Sequence, residues 1–518
     1  INDNGTIKIN DGYIVINAAK NFDTFSYYSS PINWQVNDLP THQLNIQGVI
    51  ADNYIDGSID KLDINSLRSI NMEFQNQLLA INPIGELNNL QFEYRNNVKI
   101  NAEFNAITTN SYGAIPGVEN LSGNIAYHKN LLVSLTSQQG TFDFGKHFRW
   151  PIAYKTLQAD ILLSFSDGVL AKISDIELIS DELSLTGNAV VTVPNDEPAS
   201  MALLTYVENG KAEFAKHYYP HLLMGSDLVR YLDRAITNGR MHDTEIGFDG
   251  HFEDFPFTDK PGIFYVDANI SESDFVFDKK WPAIEKLSAN LNFTKNSMLI
   301  TARSGSLEGL DVNGVEVAID DLSHEQVLTV DAVIEQQNPD HIAKLMNASS
   351  LASSVGSVLN TAVFIKPVSG VFSLNLPLND IDKTIAKGNI KFSNNDLHLQ
   401  SPNMLFSNLY GELTFNNDKV SVTNVNGNWR GMPMSFSVNG ESENSQYNTS
   451  LKLSGQWKKE LWQIELPEPM QKYVDGEISW FGDLMLSFPN GGGMSYQLGL
   501  TADLTENQLN LPEPYSKA

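Results

Sequence analysis

Residues Pro282-Ala283-Ile284-Glu285-Lys286-Leu287-Ser288-Ala289-Asn290-Leu291-Asn292-Phe293 repeat, in chemistry at nearly every position, the stretch Pro116-Gly117-Val118-Glu119-Asn120-Leu121-Ser122-Gly123-Asn124-Ile125-Ala126-Tyr127. Two weaker copies share the pattern of leucine, small residue, aliphatic, then aromatic or aliphatic: Trp150-Pro151 with Leu157, Ala159, Ile161 and Leu163, and Leu409, Gly411, Leu413 and Phe415. Apolar residues at every second position, with mostly polar residues between, describe a strand with one greasy face. Each copy is followed by a turn and another alternating strand, so the repeating unit is a hairpin. The same period runs through Val315, Val317 and Ile319, through Phe372, Leu374, Leu376 and Leu378, and through Met434, Phe436 and Val438. Asp11-Gly12, Asp56-Gly57, Asp167-Gly168, Asn313-Gly314, Asn439-Gly440 and Asp475-Gly476 are expected at tight turns, where the backbone needs positive φ. The reading is a long antiparallel meander.

Three stretches leave this period. After a capping Ser226, residues Leu228, Tyr231, Leu232, Ala235 and Ile236 fall on one helical face that closes at Asn238-Gly239. From Pro339 to Asn360, Leu351, Val355, Val358 and Leu359 line one side of an expected amphipathic helix rich in Ser and Ala. From Trp457 to Tyr473, Pro467 and Pro469 restrict the chain to helical turns. The expected organisation is therefore β repeats over 1–205, a helical segment over 206–240, β repeats over 241–337, a helix over 338–362, β repeats over 363–455, and helical turns with terminal strands over 456–518, all within one elongated body.

Composition narrows the functions. Of 518 residues, 34 are Lys or Arg and 62 are Asp or Glu, a net charge of −28 with no basic run, which excludes a nucleic-acid partner. The apolar fraction of 42% is too high for a disordered polyanion. With no Cys there is no disulfide, thiolate metal site or Cys nucleophile. The chain opens at Ile1 and reads as strand almost at once, which is expected of a piece of a longer protein. The uncharged stretch Leu345 to Ile365 holds too many Ser and Asn to span a membrane.

At about 13 residues per strand and turn the chain makes roughly 30 strands, and at about 4.8 Å each a flat sheet would extend on the order of 140 Å. Twist makes open sheets curl beyond about ten strands. The expected fold is mainly β, a long, twisted, antiparallel repeating β-groove, that is a curved open sheet, with two or three short helices. The greasy face is then either closed by other sheets, as in stacked β-sandwiches, or left as a groove far larger than the few hundred Å² soluble proteins normally expose, and therefore a binding surface. The alternation nominates as its lining Leu121, Ile125, Tyr127, Leu157, Ile161, Leu287, Leu291, Phe293, Val315, Val317, Ile319, Phe372, Leu374, Leu376, Leu413, Phe415, Val420 and Val422. Phospholipid acyl chains suit such a groove: a C16 chain gains about 0.8 kcal/mol per buried methylene, about 12 kcal/mol in all.

One segment carries a family resemblance. Tyr231-Leu232-Asp233-Arg234-Ala235-Ile236, Gly239-Arg240, Phe248, Gly250, Phe255-Pro256-Phe257, Gly262 and Phe264, followed by Trp281-Pro282, Leu287 and Ala289, resemble the YhdP branch of the AsmA-like proteins, with Tyr231 where that family typically has Trp. The resemblance implies a periplasmic bridge between the inner and outer membranes of a Gram-negative bacterium, a β-groove conducting phospholipid and supporting outer-membrane integrity. It also implies an inner-membrane anchor and membrane contacts made by parts of the protein outside this chain. No catalytic motif or cofactor comes with it.

Other chemistry reads weakly. Gly140 to His147 nearly spells a phosphate loop, but His147 stands where Ser or Thr must hold Mg²⁺, and Phe142 and Phe144 alternate as in a strand. His217 and His221 have zinc-pair spacing, with Pro220 between them and no accompanying Glu motif. The acids Asp243, Glu245, Asp249, Glu253 and Asp254 alternate with Ile246, Phe248 and Phe252 as the wet face of a strand. The rival functions are a surface adhesin or stalk of stacked β-sandwiches binding carbohydrate or protein, and a carbohydrate-active enzyme.

Overall fold

The computed structural model describes residues 7–20, 23–36, 42–67, 80–112, 116–222, 224, 226–324, 326–400, 403–443, 446–489 and 493–511. Among these the chain forms 33 strands, of which 28 belong to one sheet and three to a small separate sheet near the start. Every strand pairing described is antiparallel, and strands pair almost entirely with their sequence neighbours. The sheet stays open: among the described residues Ile14–Ala18 pairs with Thr24–Ser29 alone, and Ser495–Asp503 with Ile478–Pro489 alone. Among the described residues no helix is long and apolar enough to cross a membrane.

The contacts divide the chain into two compact units, one comprising 1–233, 238–270 and 291–297, the other 234–237, 271–290 and 298–518. Both are built from the same kind of strand, and the repeat explains its form. Asn120, Lys286 and Asn408, each immediately before the leucine of its copy, have φ of 59°, 50° and 52°. A left-handed residue inside a strand marks a β-bulge, which bends the strand and increases its twist. Register shifts flank Asn120 and Asn408 in their pairings with neighbouring strands. Asn tolerates this conformation better than most residues, and Asn89, Asn394 and Asn424 are further instances. The small residue of the repeat also has a reason. A Cβ on Gly123 would sit 2.9 Å from the Phe104 ring, and one on Gly411 3.1 Å from the Phe392 ring, so the position is kept small beneath an aromatic from the neighbouring strand.

This covering of glycine by aromatics corrects two turn assignments. Asp56-Gly57 lies inside the strand Tyr54–Asp63 and Asn439-Gly440 inside Met432–Glu443. A Cβ on Gly57 would meet Tyr27 Oη at 2.3 Å, and one on Gly440 would meet Tyr447 Oη at 2.5 Å. Asp167-Gly168 and Asn313-Gly314 do turn the chain, with glycine φ of 85° and 77°.

The helix Ser226–Ala235 forms as the spacing requires and buries Leu228, Tyr231, Leu232 and Ala235. The single helix expected over 339–360 is instead broken. Pro339–Asn347 is capped by the Asn338 side chain, which accepts from the Asp340 amide at 3.0 Å; a π-helical stretch Ala352–Gly356 and the short helix Ser357–Thr361 follow. Asn347 and Asn360 exchange side-chain hydrogen bonds at 2.8 and 2.9 Å across the break. Near the end, Lys459–Trp462 and Glu468–Gln471 are one-turn helices on either side of Pro467.

Candidate functional site

Residues opposite one another in an antiparallel pair point to the same face, so register alone locates the apolar surface. In the first unit a row crosses eight strands: Ala102, Ile125, Val133, Ile161, Ile173, Ala189, Leu203 and Phe248, each opposite the next. A second row on the same face runs Leu157, Leu178, Leu185, Val207, while Tyr127 faces Leu131, and Leu121 faces Ile107. Burial is graded along these strands. Leu157, Leu178 and Val207 form a packed cluster with Phe104, Leu135 and Tyr154. Leu121, Ile125, Tyr127 and Ile161 are half-buried. At the far strand ends of the same face Val98 is 42% exposed and Val193 42%.

In the second unit the nominated residues also share one face. Val317, Val330, Leu374 and Ala386 form one row; Phe372, Gly388, Phe415, Val420 and Gly440 a second; Leu413, Val422, Val438, Leu451 and Leu484 a third; and Leu376 faces Leu328. Here the protein covers the face itself. Ile319, Leu328 and Leu484 are 0% exposed and Leu374 and Leu376 1%. Aromatic rings fill the space, with centroids of Trp281 and Phe372 5.7 Å apart and of Phe372 and Phe415 6.3 Å apart; in the broken helix Leu345, Met346, Leu351, Val355 and Leu359 are buried as well. Of the remaining nominees, Leu287 and Leu291 are buried, Phe293 is half-buried, and Val315 lies half-buried in the turn before Glu316–Ile319.

Several residues that could suggest other chemistry have structural partners, although His221 Nδ1 is buried without one among the described residues. Gly140 lies within the strand Leu131–Asp143 beneath the Tyr154 ring, and only Gly145–His147 forms a helical turn. His217 Nδ1 lies 2.9 Å from Glu182, which also accepts from Tyr218 Oη at 3.0 Å, and the Trp150 ring packs tilted against His217 with centroids 4.8 Å apart. Burial, with the Glu182 carboxylate second, pushes the Tyr218 phenol well above its usual range. Arg149 donates to both Asp233 oxygens at 2.6 and 2.7 Å and to the Lys216 carbonyl at 3.1 Å, and the hydrogen bond from Arg149 holds the Asp233 carboxyl below the usual range. Sequence reading missed this clasp between the hairpin at Arg149 and the helical insert, because nothing local links residues 84 positions apart. Asp243 accepts from Tyr206 Oη at 2.6 Å, and Glu245 is hydrogen-bonded to Tyr265. These acids lie on the opposite side of the strand from Ile246 and Phe248.

Comparison with known proteins adds three findings. The family model described as YhdP protein matches residues 4–518. The chain is 25% identical over 442 residues, 84% of its length, to a protein of Escherichia coli (strain K12) named intermembrane phospholipid transporter YhdP. It spans about a third (34%) of that relative. No solved structure matches.

Proposed function

The chain belongs to the YhdP family, and from that membership we propose that it is a periplasmic segment of a conduit carrying phospholipids between the inner and outer membranes, in a protein anchored to the inner membrane. The observation that carries the proposal is the first unit's apolar face. Ile125 and Ile161 are only half-buried and Val98 and Val193 are 42% exposed, although all four belong to continuous apolar rows or their ends. Soluble surfaces rarely leave such rows uncovered. Acyl chains are the covering that fits them, because hydrocarbon has no hydrogen bonds to satisfy and can slide along a face that offers none. Headgroups would remain at the exposed strand ends. The step is passive transfer between two equally apolar surroundings, with no bond made or broken, no cofactor and no catalytic residue. In the second unit, lining by residues such as Leu374, Leu413 and Phe415 requires the packed side chains to part and admit the chains.

The experiment places glutamate at Ile125, Ile161 and Ile173, three consecutive members of one row. Phospholipid transfer by the full-length protein should stop while its circular dichroism spectrum stays that of the parent. Normal transfer with all three charges present would overturn the reading. The sandwich-type adhesin is disfavoured by the same face: a sandwich would close Ile125 and Ile161 beneath a second sheet.

A further inference from the structure

We propose that two neighbouring hairpin tips in the first unit, carrying Arg95 and Lys129, form a docking station for the phosphate of a glycerophospholipid whose acyl chains lie on the adjoining apolar face; the inference rests on the lipid reading above. On the side where that face is most exposed, successive turns connect Ala51 to Tyr54, Tyr94 to Val98, Tyr127 to Leu131, Ser164 to Val169 and Val193 to Ser200. The second and third turns are basic, with Arg95 in one and His128 and Lys129 in the other.

Three observations make these tips a site. The flanking side chains are amphipathic or apolar and accessible: Tyr94 is 50% and Val98 42% exposed, and Tyr127 and Leu131 are half-buried. This is the arrangement of a lipid–water boundary, with aromatic rings beside long cations that keep their charge in water. Second, the charges are available. Among the described residues neither Arg95 nor Lys129 has a carboxylate partner, whereas Lys99 on the same hairpin is tied to Glu93 at 3.1 Å. The Arg95 guanidinium rests 4.8 Å from the centre of the Tyr54 ring; because Ile55, and not Tyr54, pairs with Tyr94 on the apolar face, this places the cation un-neutralised on the other side of the tip, from which it must swing to meet a headgroup. Third, the neighbouring tips repel an anion: Asp52 lies on one side, and Asp167, Asp196 and Glu197 on the other, all exposed.

One phosphate can meet both cations once the Arg95 side chain leaves the Tyr54 ring. Consecutive hairpin tips on one side of a sheet are two strands apart, about 10 Å, within the combined reach of an arginine and a lysine side chain and comparable to the screening length in physiological salt. In a chain of net charge −28 such a pair is the local exception. The acidic tips beyond it make the phosphate reside there instead of spreading evenly along the edge.

The test uses the full-length protein carrying a photocrosslinking amino acid at Val98 or, separately, at Val193, mixed with vesicles of dipalmitoyl phosphatidylglycerol at low salt, with lipid adducts counted by mass spectrometry. Replacing Arg95→Glu together with Lys129→Glu should lower the Val98 adduct about ten-fold or more, as expected for removing two cations each contributing about 1 kcal/mol near an anionic headgroup. The Val193 adduct should change less than about two-fold, since its neighbouring tip is untouched and exposed charges act over little more than a screening length. Dipalmitoylglycerol, which has the chains without the phosphate, should label Val98 equally in both proteins. A reversed protein labelled at Val98 by phosphatidylglycerol as well as the parent would overturn the docking station. If a crosslinker at Ile125 of the parent captures no lipid, the conduit reading fails and this inference with it. Lipid captured at Ile125 alongside an unchanged Val98 yield would sink the docking station alone.

Discussion

The two units carry the same one-sided rows, yet Ile125 and Ile161 of the first remain half-buried while Ile319, Leu374 and Leu484 of the second are sealed. The difference lies in what stands on the face, not in how it alternates. Rows of both units contain small residues, Ala102, Ala189 and Gly123 in the first and Ala386, Gly388 and Gly440 in the second, but the eight-strand row of the first holds one ring, Phe248. Rows of the second include Phe372, Phe415 and Phe436, and the centroids of Phe406 and Phe436 are 6.0 Å apart. Period two therefore tells which side of a strand is apolar, and side-chain volume tells whether the protein covers it unaided.

That contrast can be broken most directly by charge. Leu374→Asp should unfold the second unit, because a carboxylate at a position 1% exposed has no partner, whereas Ile125→Asp should leave the first unit folded and change its unfolding free energy by about 1 kcal/mol or less. Urea titration followed by tryptophan fluorescence and circular dichroism measures both, and equal losses would show the two faces to be equally covered. Truncation gives a smaller effect in the same sense: Leu374→Ala should cost about 3 kcal/mol and Ile161→Ala about 1 kcal/mol.

Overpacking sharpens the account of the repeat. A side chain at Gly140 would meet the Glu119 carbonyl and Tyr154 Oη, both 2.2 Å from its Cβ, so Gly140→Val should destabilise the first unit by about 2 kcal/mol. Adding Tyr154→Ala should not restore it, because the carbonyl is backbone. The smallest expected effect belongs to the clasp at the helical insert. Arg149→Ala should cost about 1 kcal/mol as a partly exposed ion pair. Because the folded-state pKa of Asp233 is depressed, its contribution is fully present above the carboxyl's unfolded value near 4 and disappears as pH falls through the folded value. The stability gap between the parent and Asp233→Asn should therefore close on acidification from pH 6, and a gap independent of pH would remove the Arg149 pairing as its cause.

Much of this architecture is written in short-range pattern. The alternation around Leu287, Val317 and Leu374 assigns strand and face, and the leucine–small–aliphatic repeat locates equivalent hairpins. Other features depend on partners distant in sequence. Gly57 and Gly440 follow Asp and Asn as turn glycines do, and only the register that brings Tyr27 and Tyr447 over them makes them strand residues. The bulges were half legible: Asn120 and Asn408 carry the residue type that favours positive φ, but Lys286, Ala106 and Gln139 adopt it at φ of 50°, 52° and 55° without any such signal. The break after Asn347 hides because Ser and Ala permit a continuous helix as readily as an interrupted one. Whether the apolar face is covered depends on summed volume across many strands, which no window of sequence contains.

Strands that bond almost only to their neighbours in the chain make the sheet modular in its length. Removing one whole hairpin, two strands and their turns, would rejoin surfaces of matching polarity and shorten the sheet by about 10 Å, whereas deleting a single residue within a strand would turn its oily side to water. Duplication or loss of hairpins would thus change the length of such a sheet in fixed steps that never require the rest of the molecule to be redesigned.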